Sequence, residues 1–420
     1  MILLRMMIAA LAFGALMVGF VALRPLLPID ETRYLDVAWE MWLSGDYAHL
    51  TRNFAPYTHK PPLLFWLINL VWQATGVAEF PARLVAPACS LALLVGTGAF
   101  ARRLWRDEPG LGGRAMLVLS GFTIFLIYAS ATMFDTLLGL AVLGGVAALW
   151  RIGEGGAGWR HWAAFGAALG IGTLAKGPVI AVHLLPLLLT MGFWAPAVPD
   201  RRRRVAGFAL ALAVAIGIVA FWLVPALFRG TPDFRQELLW TQSAARVAGG
   251  MAHDRPFWFL LVLMPVMLFP WGWSVAIWRA MAVRLRPDAP ARMLAFWAVS
   301  ALVLFSLISG KQAHYLLPAY PAVALLVARA LPSAATPGSW RLAAIVPLVM
   351  GLAAFAVAIG VVAPPAVFAA DIPASALLGV AACAFALSLG SLAVPALPRA
   401  VLLGAGTALT LHLSVAWTGI

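Results

Sequence analysis

The sequence predicts an all-α membrane protein, and three observations predict it. Hydrophobic residues make up 63% of the 420-residue chain and charged residues 11%, against about half and about a quarter in soluble domains. Apolar runs near the roughly 20 residues needed to cross the bilayer recur along the chain, where a β-barrel would show short alternating strands. The arginines fall in bunches between those runs, as cytoplasmic loops require.

The first run, 6–23, is bracketed by Arg5 and Arg24. A signal peptide would show a small-residue cleavage site leading into a soluble domain, so 6–23 reads as a span with its amino end in the cytoplasm. Further runs follow at 80–101, 116–129, 134–150, 162–174, 178–194, 205–228, 257–278, 293–308, 315–328, 342–363, 375–394 and 401–417. These give about 13 transmembrane helices in one polytopic domain over residues 1–420, with no internal repeat. The run 62–74 is left out: it is short, opens on two prolines and carries Asn69 and Gln73, which suits an interfacial or re-entrant segment.

Charge supports that omission. With 13 spans, 18 of the 29 basic residues lie in cytoplasmic loops; counting 62–74 as a crossing would put all but one of them outside. The carboxyl end then faces out, and the outer side holds two long loops, 24–79 and 229–256. No soluble domain is expected after the last span. The net charge of +13 is thus a topology signal, not a nucleic-acid surface. Cys89 and Cys383, both in apolar runs, read as free buried thiols.

Chemistry is expected in the stretch 28–75 of the first outer loop, which holds five of the 16 acidic residues: Asp30, Glu31, Asp36, Glu40 and Asp46. Residues 32–43 read as a helix lying on the membrane, with Leu35, Ala38, Trp39 and Trp42 on one face and Asp36 and Glu40 on the other. Asp30 and Glu31 then stand at its amino end, where the dipole favours carboxylates and a plain helix cap is the rival role. The lysines are the sharpest signal. Only Lys60, Lys176 and Lys311 occur, each at the outer mouth of a span. Snorkelling explains any one of them; three on one face, against the cytoplasmic preference for basic residues, suit a grip on phosphate. Asp135, a lone acid at the outer start of a span, is a functional candidate by depth or a cap. His183 reads as a hydrogen-bonded core histidine. His59, His253 and Asp254 would gather a divalent ion across the two loops, without tight ligand spacing.

An outer-face set of carboxylates and lysines beside lipid points to a membrane-embedded, phosphate-bearing donor. The motifs that carry it are Pro28-Ile29-Asp30-Glu31-Thr32-Arg33-Tyr34, His59-Lys60-Pro61-Pro62, Phe134-Asp135, Lys176-Gly177 and His314-Tyr315-Leu316-Leu317-Pro318-Ala319-Tyr320-Pro321. In that order they resemble the GT-C integral-membrane glycosyltransferases, above all the bacterial lipid A aminoarabinose transferases and their protein O-mannosyltransferase relatives. The resemblance implies a polyprenyl-phosphate sugar donor, an outer-leaflet glycolipid or other envelope acceptor, and inversion at the sugar. It implies that Asp30 is the catalytic carboxylate and Asp135 a second functional acid; the sequence alone leaves open that Glu31 and Asp30 exchange roles. It also implies a phosphate contact from Lys60; Lys176, Lys311 and Arg255 are the further cations expected to hold the donor phosphate, and Arg33, Tyr34, His314 and Tyr315, within the same motifs, are expected to contact substrate. Two departures stand out. Aminoarabinose transferases continue into a soluble domain, and some place a glutamate before the Lys-Pro pair and bind zinc with a later histidine; here His59 precedes Lys60 and His253 is the candidate partner.

The leaving polyprenyl phosphate becomes a monoester anion and needs positive charge more than a proton, from Lys60 with Lys311 or Arg255. Asp30 would deprotonate an acceptor hydroxyl, or orient an acceptor phosphate that arrives ionised. Rival readings are a protein mannosyltransferase or glycan ligase on the same fold, and a lipid or solute transporter, which would place its charges nearer the midplane.

Overall fold

The computed structural model describes residues 2–155, 158–238, 255–284, 288–363 and 372–418. It is helical apart from one two-stranded hairpin, Thr51–Arg52 with Ala55–Pro56, and an isolated bridge between Glu154 and Ala197. Among the described residues, eight helices are long and apolar enough to cross a membrane, or nine if the bent pair Leu111–Gly121 and Thr123–Ser130 is one span.

Each apolar run is helical, but several are broken. Run 116–129 bends by 77° between Gly121 and Thr123. The freed backbone is rejoined there by Thr123, whose N–H bonds the Phe269 carbonyl at 3.3 Å and whose hydroxyl bonds the Gly404 carbonyl at 2.9 Å. Lost i→i−4 bonds inside a bundle need such partners. Run 257–278 is two helices, Phe259–Met267 and Val275–Arg284, around a 3₁₀ turn at Trp271–Trp273, where Pro265 and Pro270 interrupt the ladder. Glycines let helices approach: a Cβ on Gly166 would lie 2.3 Å from the Ala211 carbonyl oxygen, and one on Gly207 would lie 2.2 Å from the Trp162 ring. Helix Trp159–Lys176 therefore lies backbone to backbone on Arg201–Arg229, a small-residue crossing of the kind membranes favour.

The first long loop, 24–79, is a packed subdomain. Helix Asp30–Ser44 ends on Gly45, left-handed at φ 64° with its N–H on the Met41 carbonyl, a glycine C-cap. It packs on helix Leu63–Thr75, tied by Asn69 Nδ2 to the Ala38 carbonyl at 2.9 Å. The expected two-faced pattern is shifted. Tyr34, Val37, Ala38 and Met41 are buried, while Trp39 is 41% exposed. Glu40, expected on the polar face, is buried and accepts the Phe54 N–H of the hairpin tip at 2.9 Å. The cause is that the hairpin covers that side of the helix as well. Edge-to-face rings of Tyr34 and Phe65 on Phe134, at 4.8 and 5.5 Å, join this subdomain to the start of helix Asp135–Gly153.

Candidate active site

Glu31 and Asp30, neighbours in sequence, have opposite surroundings. Glu31 is fully buried. Arg24 grips it in a two-pronged ion pair, Nη1 to Oε2 at 2.5 Å and Nη2 to Oε1 at 2.8 Å. The Leu27 and Thr132 N–H groups donate to the same carboxylate at 2.8 and 2.6 Å. Burial alone would raise its pKa, but the Arg24 bonds and the two amides hold it below the usual carboxylate value. A carboxylate with its lone pairs so committed has no capacity left for a substrate proton. Glu31 is an anchor.

Asp30 keeps its side chain 42% exposed and lies on a cavity. Ile29 before it takes φ 72° and ψ −59°, and the Asp30 N–H bonds the Pro28 carbonyl at 3.0 Å. That is a γ-turn of the rare, strained hand, worse for a β-branched residue, and such strain gathers at functional sites. It turns the chain so that Glu31 enters the protein while Asp30 stays at the rim. Neither carboxylate caps the helix, so the cap rival for Asp30 has no bond behind it. Asp30 Oδ1 instead accepts from Arg33 and from the Tyr34 hydroxyl, the latter at 3.1 Å. Burial raises the Tyr34 and Tyr57 phenol pKa values, Tyr57 to about 12, so both remain donors.

Asp135 and Lys176, singled out separately in the sequence, form a pair: Nζ to Oδ1 is 2.5 Å, with Asp135 1% and Lys176 10% exposed. Asp135 does not cap its helix either. Its Oδ2 is buried without a hydrogen-bond partner, and His314 Nε2 stands 4.0 Å from it. The Lys176 ammonium also lies 4.7 Å from the Tyr315 ring centre, and Lys60 lies 5.8 Å from that of Phe134. His183, expected to be hydrogen-bonded, is fully buried against Phe305 with neither ring nitrogen bonded.

A cavity of about 350 Å³ is lined by Leu27, Pro28, Asp30, Glu31, Tyr128, Met133, Arg255, Phe259, Lys311, Gln312, Ala313 and His314. Lys311 is 2% exposed, its ammonium fixed by the Ser306 and Pro256 carbonyls at 2.6 and 3.3 Å. Arg255 is exposed and stacks on Phe259, with 5.5 Å between its guanidinium and the ring centre. Thus Asp30, Lys311, Arg255 and His314 share one wall system; Lys60, Lys176, Tyr34 and Tyr315 stand beside it. His59 is exposed and stacks on Tyr57 at 5.5 Å. His253 and Asp254 lie outside the described residues, and among those described no three His, Cys, Asp or Glu side chains gather as a metal centre. The sequence reading missed Arg24 and Tyr128. Arg24 carries the same signal as the lysines, a cation at the end of an apolar run.

Chemically, the cavity is lined by one accessible carboxylate, Asp30, and by two cations, Arg255 and Lys311. That is the arrangement for taking a proton, or orienting a nucleophile, while holding an anion.

Comparison with known proteins finds similarity to lipid-linked sugar transferases. Residues 59–227 match the family model described as dolichyl-phosphate-mannose-protein mannosyltransferase. The chain is 30% identical over 309 residues to the undecaprenyl phosphate-alpha-4-amino-4-deoxy-L-arabinose arabinosyl transferase of Pseudomonas aeruginosa, covering 72% of this chain and 55% of that protein. It is 30% identical over 356 residues to a Pseudomonas fluorescens protein of the same name, covering 81% and 63%. The chain therefore spans little more than half the length of these relatives. Among solved structures, ArnT from Cupriavidus metallidurans bound to undecaprenyl phosphate superposes with a TM-score of 0.75 at 24% identity, over 98% of this chain and 76% of that one. Arabinosyltransferase EmbB from Mycobacterium smegmatis gives 0.53 at 15% identity, over 97% and 41%.

Proposed function

Because the chain resembles GT-C glycosyltransferases of the aminoarabinose transferase group in sequence and in fold, we propose that it moves a sugar from a polyprenyl-phosphate donor to an envelope glycolipid such as lipid A at the outer face of the cytoplasmic membrane. The observation that supports this reading is the cavity whose lining includes Asp30, Arg255 and Lys311. The two cations take the donor phosphate, with Lys60 at the neighbouring Phe134 ring, and stabilise the charge that grows on the phosphate oxygen as the sugar–oxygen bond breaks. Asp30 lies on the acceptor side. It removes the proton of a hydroxyl acceptor or, for a phosphate acceptor, orients an oxygen already ionised. Attack opposite the leaving phosphate inverts the sugar carbon. Zinc is proposed only as bound by His59 and His253, and no step runs through it: zinc content equal in the parent and in H253A would remove that proposal.

We further propose 13 crossings, with the amino end in the cytoplasm and the carboxyl end outside. Support comes from which loops meet. Arg329 pairs with Glu108 and Asp288, Arg103 pairs with Glu154, and Arg399 bonds the Pro337 and Ser339 carbonyls. All of these belong to loops assigned to the cytoplasm, while Arg24, Ser130, Thr132 and Glu31 meet on the opposite side.

The test is turnover of undecaprenyl-phosphate-linked aminoarabinose onto lipid A by the protein in nanodiscs. Release of undecaprenyl phosphate with sugar on the acceptor is expected. Donor binding with no transfer to lipid A, other glycolipid or protein acceptors would instead favour the transporter reading.

A further inference from the structure

Helix Ala396–Thr418 packs against the bent helix pair and carries His412, a buried histidine that the reaction above leaves unused. Its ring stacks on Phe20 with centres 3.8 Å apart and planes 8° apart. Nδ1 stands 2.7 Å from the Ala408 carbonyl, which can only accept, so Nδ1 carries the hydrogen. In the neutral ring Nε2 is then the acceptor, and it lies 2.8 Å from the Ser130 hydroxyl. Ser130 in turn presents its carbonyl to Arg24 Nη2 at 3.0 Å, and two residues on the Thr132 N–H holds Glu31. The turn that His412 clamps therefore supplies one support to each partner of the Arg24–Glu31 pair, beside those from Pro25 and Leu27.

We propose that His412 and Ser130 are positioning residues for Asp30, holding through the 130–132 turn the Glu31 anchor that sets where the next carboxylate stands. The catalytic half of this statement rests on the reading of Asp30 as the residue that handles the acceptor; the mechanical half does not. Truncating His412 frees the Ser130 hydroxyl to its other partner, the Ile127 carbonyl at 3.0 Å, and loosens the turn without touching the cavity.

The test uses the full chain in nanodiscs with His412→Leu and His412→Gln, since glutamine can present an oxygen where Nε2 stood. His412→Leu is expected to speed hydrogen exchange at the Leu27 and Thr132 amides about tenfold, the weight of about one hydrogen bond. It is expected to lower turnover of undecaprenyl-phosphate-linked aminoarabinose roughly ten- to hundred-fold, as a misplacement approaching 1 Å does, with the KM for donor unchanged. His412→Gln should restore both. Unchanged exchange at Leu27 and Thr132 overturns the proposal, and so does faster exchange spread evenly over the bundle with no rescue by glutamine. If the parent itself transfers no sugar, the functional reading falls, while exchange at those two amides still decides the positioning link.

Discussion

At the scale of single residues, Asp30 and Glu31 part company on solvation. Asp30→Asn removes no buried ion pair and no cap, so it should leave the thermal midpoint near that of the parent and cut transfer by about a hundred- to ten-thousand-fold. Near-parental turnover would remove Asp30 from the chemistry. Glu31→Gln breaks a buried pair, which costs about 3–5 kcal/mol, so denaturation should show a large loss where activity assays show a parallel one. Glu31 also sets a pH dependence. Its folded pKa lies below the ordinary 4.5, so its contribution is complete above that pH and disappears as the pH falls through the folded value. The parent should therefore lose stability in that acid range and E31Q should lose less. Lys60→Ala should weaken undecaprenyl phosphate binding, with Lys60→Arg restoring only part of it, because a planar fork does not replace a point charge. Equal affinities by titration would leave snorkelling as the account of Lys60. Lys176 is a different case: it neutralises Asp135, so Lys176→Met should destabilise the protein and K176M/D135N should recover much of the loss.

At the scale of elements, the Trp159–Lys176 helix delivers Lys176 only because Gly166 lets it lie on Ala211. Gly166→Leu should push the two helices apart, lower the thermal midpoint and reduce turnover together; a stable, active variant would show that this crossing is not needed. The sequence made the helices legible because each is an apolar run of fitting length, and it placed the motif residues at helix mouths. It left the breaks at Phe122 and at 268–274 unread. Where a run is apolar throughout, periodicity carries no mark of a bend, and the partners that make the bend tolerable, Phe269 and Gly404 for Thr123, come from far along the chain. The face of Asp30–Ser44 was misread for a related reason: burial of Glu40 is decided by a hairpin that the helix pattern does not contain.

At the scale of the molecule, the charge pattern predicts the sides and the motifs suggest the chemistry, because rare lysines at span ends and acids gathered in one loop are visible in composition. Which acid is the anchor was not legible, since nothing in two adjacent carboxylates says which one a distant arginine will grip. The sidedness is open to a direct measurement: a reporter fused after Arg204 should read as cytoplasmic, and an external reading would turn 62–74 into a crossing and invert the orientation.

The cavity cations bear on what happens after the sugar has left. On the proposed function, a polyprenyl phosphate diester would enter with one negative charge and depart as a monoester carrying up to two near neutral pH, so Arg255 and Lys311 would hold the spent carrier more firmly than the fresh donor. Turnover is then governed by escape of the lipid carrier, a rapid first round should precede a slower steady state, and added undecaprenyl phosphate should inhibit competitively against the donor. In a membrane, such an enzyme runs only as fast as its carrier is cleared, which would couple its output to the recycling of that lipid rather than to the supply of acceptor.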